Sequence, residues 1–214
     1  MLKLHGRPRS NYYNVVKSIL LERDIPFEEV IEAVPPTDEF LSISPMAKIP
    51  CLVTPDGPLT ETSIIVDYLE QTYNNNSLGS PIPYVRAKQH ELARAFELYV
   101  EWVARRGYSV LRGEGDISAA EKALIKIDLT QAIKAVPTFT SFSPWCMGEQ
   151  FSWVDIHGYF MFVYAQHAAR IHAEIDLLNE IPGAADWFAR VEALPSVTKA
   201  LADAAEYAHK MQSQ

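Results

Sequence analysis

The chain has 214 residues, 48% hydrophobic and 21% charged, as in an ordinary globular protein of one large domain or two small ones. Its net charge of −8, without a basic block, weighs against nucleic acid as a partner. No apolar run approaches the roughly 20 residues of a membrane span, and the first ten residues lack a signal-peptide core. Two cysteines cannot build a disulfide framework or a zinc site, so a cytoplasmic protein without a metal or a membrane segment is expected.

Short apolar runs alternate with helical patterns over the first 75 residues. The sequence predicts a strand at 2–5, a helix at 10–24, a strand at 26–34, a short helix at 37–44, a hairpin at 51–61 and a helix at 62–73. The hairpin is predicted because "PDG" separates two strand-like runs. The last helix is expected to place Ile64, Ile65, Tyr68 and Leu69 on one face. The predicted order is β-α-β-α-β-β-α.

Only helices are predicted beyond this region. They cover 84–108 with an interruption near Gly107, 118–136, 152–171, and 182–210 with a break at Pro195, and a loop lies at 112–116. The helix at 152–171 is almost wholly apolar in its middle and is therefore expected at the centre of a bundle. The predicted fold is an α/β domain at 1–75, a linker at 76–84 and an all-helical domain at 85–214.

Pro50 stands at the start of the third predicted strand, which is the pattern of a thioredoxin-like fold. In that fold the proline peptide bond is cis, and the backbone of the preceding residue, here Ile49, can pair with an extended peptide ligand. Redox members of the fold carry C-x-x-C at the first helix, whereas this chain has "SNYY". Dithiol exchange is therefore excluded, and a hydroxyl at this place suggests a site that holds the thiolate of a ligand.

Three segments of the chain carry a resemblance to a known family: "KIP" followed by "LTETSIIVDYL", then "FSWVDI", and last "ADWFARVEALPSVTKAL". They resemble, in this order, the glutathione-binding run, the capping box and the C-terminal signature of the cytosolic glutathione S-transferases. The resemblance is to serine-type members, theta-like or of a related bacterial class. Two departures are visible: "SPMAKIP" replaces the usual Asn-Pro-x-Gly, which puts Ala47 where glycine tolerates a positive φ, and Thr62 stands in place of serine.

The resemblance implies glutathione as co-substrate and assigns roles to residues of this chain. Thr62 and nearby amides would bind the γ-glutamyl carboxylate at a helix N-terminus, and Glu61 would bind the γ-glutamyl ammonium. Ile49, next to Pro50, would pair with the cysteinyl backbone, and Lys48 would pair with the glycyl carboxylate or remain solvated. A homodimer is also implied.

Ser10 is the candidate for the catalytic hydroxyl. It is a natural N-cap at the first helix, where the helix dipole and a donated hydrogen bond would lower the thiol pKa of glutathione from about 8.5. Asn11, Tyr12 and Tyr13 are alternatives, and either tyrosine could instead pack in the core or line the second-substrate pocket. Tyr99, Trp102 and Tyr108 could line that pocket as well, or pack in the core.

The remaining candidates are structural. Asp155, three residues after Ser152, forms the S-x-x-D pattern of a capping box and is predicted to serve folding. The spacing of the six histidines does not suggest a metal site. The sequence thus predicts a glutathione transferase that conjugates glutathione to a hydrophobic electrophile; the alternatives are a non-catalytic interaction or regulatory protein of the same fold, and a glutathione-dependent disulfide or peroxide reductase.

Overall fold

The computed structural model describes residues 1–73, 75–111 and 113–212. Residue 74 of the predicted first domain, Arg112 of the predicted loop and residues 213–214 of the predicted helical domain lie outside the described residues. None of the helices within the described ranges has both the length and the apolar character needed to cross a bilayer.

A four-stranded mixed sheet forms the first part of the chain. Its strands are β1 Leu2–Gly6, β2 Phe27–Ile31, β3 Cys51–Thr54 and β4 Gly57–Thr60, in the spatial order β2-β1-β3-β4. β1 runs parallel to β2 and antiparallel to β3, which is antiparallel to β4. Pro58 is tolerated because β4 is an edge strand, where a missing N–H costs no ladder bond.

Three helices complete the predicted β-α-β-α-β-β-α order: α1 Asn11–Glu22, α2 Asp38–Ile43 and α3 Thr62–Thr72. The apolar residues of α1 and α3 pack together over one face of the sheet. On the other face, the ring of Phe40 in α2 stacks on His5 with 6.4 Å between centroids. The thioredoxin-like architecture predicted for this part of the chain is confirmed.

The rest of the chain is helical, as predicted. The helices are α4 Pro83–Ala95, α5 Trp102–Arg105, α6 Tyr108–Leu111, α7 Ala119–Phe139, α8 Trp153–Ala173, α9 Leu177–Glu180, α10 Ala184–Glu192 and α11 Pro195–Gln212. A π-helical segment, Phe96–Glu101, joins α4 to α5. The predicted interruption near Gly107 lies between α5 and α6, and Pro195 is the first residue of α11.

The chain divides into two compact units. The first comprises Met1–Leu78 together with Ala193–Gln214, and the second comprises Gly79–Glu192. Helix α11 belongs to the first unit because it packs along α1, where Val197 and Ala200 are fully buried. The expected boundaries of 1–75, 76–84 and 85–214 stay a prediction.

Helix α8 is the centre of the second unit, and sixteen of its residues are buried. An aromatic cluster of Phe96, Phe142, Phe162 and Trp187 packs around it, with ring centroids 4.7–6.2 Å apart. Gly158 makes room for this cluster, since a Cβ there would lie 2.8 Å from the Phe96 ring. The central position predicted for this helix is confirmed.

The structure differs from the sequence-based expectations in three details. The π-helical segment and the short helix α9 were not predicted. In α3, Ile65 and Leu69 are fully buried but Ile64 is 54% exposed, so the expected common face of four residues is wrong at Ile64. The buried residues of α3 are Thr62, Ile65, Val66 and Leu69.

Candidate functional site

Strand register brings the predicted glutathione residues to one end of the sheet. Across β1, β3 and β4, His5 pairs with Cys51, which pairs with Thr60. Consequently the segments that follow β1, precede β3 and follow β4 leave the sheet at the same end. These segments carry Ser10, Ile49–Pro50 and Glu61–Thr62. Residues far apart in the chain therefore lie at the same end of the sheet.

Two helices begin at this end of the sheet. β1 and β4 are both antiparallel to β3 and so run in the same direction, and α1 and α3 follow them directly. The first N–H groups of a helix lack intrahelical acceptors, and the helix dipole makes this end positive. This end of the sheet therefore favours bound anions.

Ser10 is the N-cap of α1. It is half-buried, and its Oγ accepts a hydrogen bond from the Tyr13 N–H at 3.3 Å. This bond uses one lone pair of the oxygen and leaves the hydroxyl proton available for donation. The cap therefore stabilises α1 and still provides a donor for a ligand.

The neighbouring alternatives differ in environment. Asn11 is buried and Tyr12 is half-buried. The Tyr13 hydroxyl donates to Glu29 Oε2 at 2.5 Å, and burial, followed by Glu29, raises the pKa of Tyr13 far above its ordinary value. Tyr13 is therefore a protonated core residue whose hydroxyl already has an acceptor.

The loop before β3 holds the predicted peptide-pairing residue. The Ile49–Pro50 bond is cis, as predicted, and Ala47 takes the positive φ of 53° that its place in the loop suggested. Ser44 braces the loop: its Oγ accepts from the Lys48 N–H at 3.2 Å and donates to the Lys48 carbonyl oxygen at 2.8 Å. The side chain of Lys48 is exposed and can reach a ligand from solvent.

Glu61 and Thr62 form the start of α3. Glu61 is an exposed residue with φ 66° and ψ 116°, and its side chain makes no capping bond. Its carbonyl oxygen accepts from the N–H groups of Ile64 and Ile65, both at 3.0 Å. The carboxylate of Glu61 is therefore not used to cap α3. Thr62, the next residue, is 8% exposed.

Sequence reasoning missed two side chains near this end of the sheet. His5 Nδ1, near the end of β1, lies 2.7 Å from Oε1 of Glu32, the residue that follows β2. At Ser44, the residue that braces the loop, the sequence predicts only the end of a helix. A serine directly before the proline of "SPMAKIP" was the available signal for Ser44, whereas the His5–Glu32 pair depends on strand pairing.

The aromatic residues proposed for a second-substrate pocket have contrasting exposures. Tyr99 and Trp102 are 57% and 56% exposed, on the π-helical segment and α5. Tyr108 is 6% exposed, and its ring packs against Tyr164 and under the Arg105 guanidinium. Their assignment to a pocket, with that of Tyr12, stays a prediction.

Asp155 closes the N-terminus of α8. Its fully buried carboxylate accepts from the N–H and the hydroxyl of Ser152, at 2.9 and 3.2 Å. It also accepts from the Cys146 N–H at 2.7 Å and from Trp187 Nε1–H at 2.9 Å. Burial raises the pKa of Asp155 although these donors oppose the shift. The predicted capping box is confirmed, and it ties α8 to α10 and to the preceding loop.

Neither cysteine is placed for redox chemistry. Burial raises the pKa of Cys51 to about 11, and burial also raises that of Cys146. Both thiols are buried and neither is in a disulfide. Across the described ranges, His, Cys, Asp and Glu side chains form no group of three or more suited to a metal ion, and the expectation of a metal-free site stays a prediction.

The fold and the site define a class: a thioredoxin-like unit with a cis-proline loop and two helix N-termini at one sheet end, joined to a helical unit. The protein-family model described as "Glutathione S-transferase, N-terminal domain" matches residues 4–77. A glutathione S-transferase of Pseudomonas putida strain F1 is 35% identical over 203 residues, 95% of this chain and 92% of that protein. The chain belongs to the glutathione S-transferase family.

Other relatives extend the comparison. A "Stringent starvation protein A homolog" of Pasteurella multocida is 29% identical over 148 residues, 68% of this chain and 66% of that protein. A glutathione S-transferase structure from Rhodospirillum rubrum F11 superposes with a TM-score of 0.76 at 23% identity, over 94% of this chain and 92% of that one. This structural likeness shows the fold, and the family name comes from the sequence relatives.

Proposed function

We propose that the protein binds glutathione as its thiolate at the sheet end described above and conjugates it to a hydrophobic electrophile. The observation that carries the proposal is the half-buried hydroxyl of Ser10 at the N-terminus of α1, with its proton available for donation. The thiolate sulfur attacks an electrophilic carbon, a C–S bond forms, and the leaving group departs with its electron pair.

Thiolate stabilisation is the first contribution of the site. A cysteine-type thiol has a pKa of about 8.5, so only a few per cent is ionised at neutral pH. A hydrogen bond from Ser10 and the positive end of α1 both favour the charged form. Each unit by which the pKa falls raises the thiolate fraction about tenfold while the thiol form dominates.

Positioning is the second contribution. Glu61 would bind the γ-glutamyl ammonium, and Thr62 with the free N–H groups of α3 would bind its carboxylate. Ile49, beside cis Pro50, would pair with the cysteinyl backbone, and Lys48 would approach the glycyl carboxylate. Held at both ends, the tripeptide presents its sulfur in one place, which converts an encounter with the electrophile into an oriented reaction.

The remaining parts of the proposal follow from the family. We assign glutathione binding to residues 1–75, a linker to 76–84 and the second-substrate side chains to 85–214, with Tyr99, Trp102 and Tyr108 as candidates and Tyr12 from the first domain. A homodimer and a cytoplasmic location are proposed as well, the latter because both cysteines are reduced and buried.

Substitution of Ser10 tests the thiolate assignment. Ser10→Ala should raise the pKa of bound glutathione, followed by thiolate absorbance in the ultraviolet, while calorimetry shows that glutathione still binds. Ser10→Thr is the matched control, because it keeps the hydroxyl and the cap. Tyr12→Phe tests the alternative. A raised thiol pKa in Tyr12→Phe and an unchanged one in Ser10→Ala would move the role to the tyrosine.

A second candidate is a protein of this fold that binds partners without catalysing transfer. The observation that favours it is the similarity to a protein named for stringent starvation and to "Probable elongation factor 1-gamma 2" of Arabidopsis thaliana, 30% identical over 124 residues. Retention on a glutathione column followed by turnover of a generic aryl halide would support the transferase. Retention without turnover of halides, disulfides or peroxides would support the second candidate, and turnover of disulfides or peroxides alone would support a reductase.

A further inference from the structure

Lys17 is a buried cation in the middle of α1. The residue is 1% exposed, although lysine is almost never fully buried unless its charge is paired. Its Nζ donates to Glu29 Oε2 at 2.8 Å and to Asp203 Oδ2 at 2.6 Å. Glu29 belongs to β2 and Asp203 to α11, so one ammonium joins three elements of the first unit.

The same carboxylate of Glu29 also fixes Tyr13. Tyr13 lies one turn before Lys17 on α1, and its hydroxyl donates to Glu29 Oε2 at 2.5 Å. Its ring fits tightly against the end of β1, since a Cβ on Gly6 would lie 2.3 Å from it. The Tyr13 N–H is the donor to Ser10 Oγ. A continuous set of contacts therefore runs from Asp203 through Lys17, Glu29 and Tyr13 to Ser10.

This network is suited to fixing geometry. Only the lysine is buried here, since the side chains of Glu29 and Asp203 are 34% and 20% exposed. Because apolar replacement of a buried ion pair is often neutral for stability, stability alone does not account for a lysine at this position. Directional bonds from one ammonium to two elements, by contrast, restrict both the rotation and the sliding of α1. The first turn of α1 carries the hydroxyl whose direction decides whether its proton reaches a bound sulfur.

We propose that Lys17 is a positioning residue for the Ser10 hydroxyl, and that through Asp203 it makes α11 a distant support of the thiolate site. The proposal rests on the proposed function of Ser10. Lys17 does not touch the ligand; it acts by holding Tyr13, and thereby the capping bond that orients Ser10. Loss of Lys17 should loosen the first turn and weaken the hydrogen bond to the thiolate.

Lys199 offers a matched control. Its Nζ also bonds to Asp203, at 2.5 and 2.6 Å, but its side chain is 60% exposed and it lies on α11 itself. Burial would raise the pKa of Asp203, yet the bonds from Lys17 and Lys199 outweigh burial and lower it, so the carboxylate stays ionised. Lys199→Met thus removes a contact to the same carboxylate without altering the tie to α1.

The test measures the thiol pKa of glutathione bound to full-length Lys17→Met, Asp203→Asn and Lys199→Met, with melting temperature and glutathione affinity in parallel. Lys17→Met should lose about three- to tenfold of the thiolate at neutral pH, a pKa rise of about half to one unit. Asp203→Asn should shift the pKa less in the same direction, and Lys199→Met should leave it at the wild-type value. If Lys17→Met does not fold, the proposal is tested by comparing the thiol pKa of glutathione bound to Asp203→Asn with that of glutathione bound to Lys199→Met.

A double variant separates this proposal from the one it rests on. Since Lys17 acts through Ser10, adding Lys17→Met to Ser10→Ala should raise the thiol pKa no further. Additive shifts, or a wild-type pKa in folded Lys17→Met, would overturn the positioning role while the thiolate site stands. No shift in Ser10→Ala, or no binding of glutathione to the wild type, would overturn both proposals.

Discussion

The N-termini of α8 and α3 each carry an acidic residue, but the two carboxylates lie in opposite environments. At α8 the fully buried Asp155 accepts from two groups of Ser152 and from two groups outside the helix. At α3 the exposed Glu61 makes no side-chain cap and adopts a positive φ of 66°. We call the α8 terminus closed, because its carboxylate accepts hydrogen bonds from other groups of the protein, and the α3 terminus open, because its carboxylate makes no capping bond.

The difference teaches how to separate folding residues from binding residues. Both sites carry an acidic residue at a helix start, a position at which either residue could serve as a cap. The two residues differ in the burial of the carboxylate and in the number of hydrogen bonds that it accepts. A closed terminus should control stability and leave ligand binding unchanged, and an open terminus should do the reverse. The α1 terminus combines the two, because Ser10 accepts a capping bond and keeps a donor.

The closed terminus gives the largest expected effect. Asp155→Ala should lower the free energy of unfolding by about 3–5 kcal/mol, because four donors lose a buried carboxylate at once. This exceeds the loss expected of a simple cap, and denaturant titration measures it. Ser118→Ala, in the exposed capping box of α7, is the control and should cost only about 0.5–2 kcal/mol. Equal losses in the two variants would contradict the comparison.

The open terminus should respond in binding. Glu61→Ala should weaken glutathione binding by about 1–3 kcal/mol, since a charge-assisted contact is lost. Calorimetry measures the affinity, and the melting temperature should hardly change because the carboxylate caps nothing. Unchanged affinity would place the ammonium-binding group elsewhere.

A glycine at position 61 should make the protein more stable than an alanine there. Glu61→Gly removes the contact to glutathione but also relieves a backbone conformation that disfavours side chains. The free energy of unfolding should rise by about 1 kcal/mol relative to Glu61→Ala, after allowance for the greater entropy of unfolded glycine. Chemical denaturation of the two variants side by side provides the measurement. A less stable glycine variant would show that the positive φ carries no strain.

The smallest expected effect is a loss of stability at low pH. Asp176 caps α9; burial acts to raise its pKa, but hydrogen bonds from Gln166, Arg170 and Asn179 outweigh burial and lower it to about 2. A lowered pKa adds stability above the ordinary value of 3.8, and this stability is lost as the pH falls from about 4 to 2. The melting-temperature difference between wild type and Asp176→Asn should therefore shrink across this window. A melting-temperature difference that stays constant across this window would mean that hydrogen bonds do not lower the pKa of the Asp176 carboxylate.

The sequence predicted the order of elements well because local signals mark them. Alternating periods, the "PDG" turn and the hydroxyl cap at Ser10 all depend on neighbours in the chain, and Ser10 is the N-cap of α1. The cis bond before Pro50 followed from the order of elements, not from the residue itself.

Long-range features escaped prediction for a physical reason. The bond between Lys17 and Asp203 joins residues 186 positions apart, and periodicity carries no information on such pairs. The local sequence pattern does not mark Lys17 as buried, and only the packing of the folded chain shows that it is. The π-helical segment Phe96–Glu101 was also not predicted, since helical periodicity does not distinguish it from the α-helices on either side.

The discontinuous first unit has a consequence for biosynthesis. The ribosome delivers residues 1–78 early, yet α11 emerges only after the whole of Gly79–Glu192 has been made. At roughly 5–20 residues per second, the nascent sheet waits many seconds for Asp203 and the apolar residues of α11. During that interval Lys17 has Glu29 alone as a carboxylate partner and the α11-facing side of α1 is uncovered. A fragment ending at residue 78 would retain this unfinished state permanently.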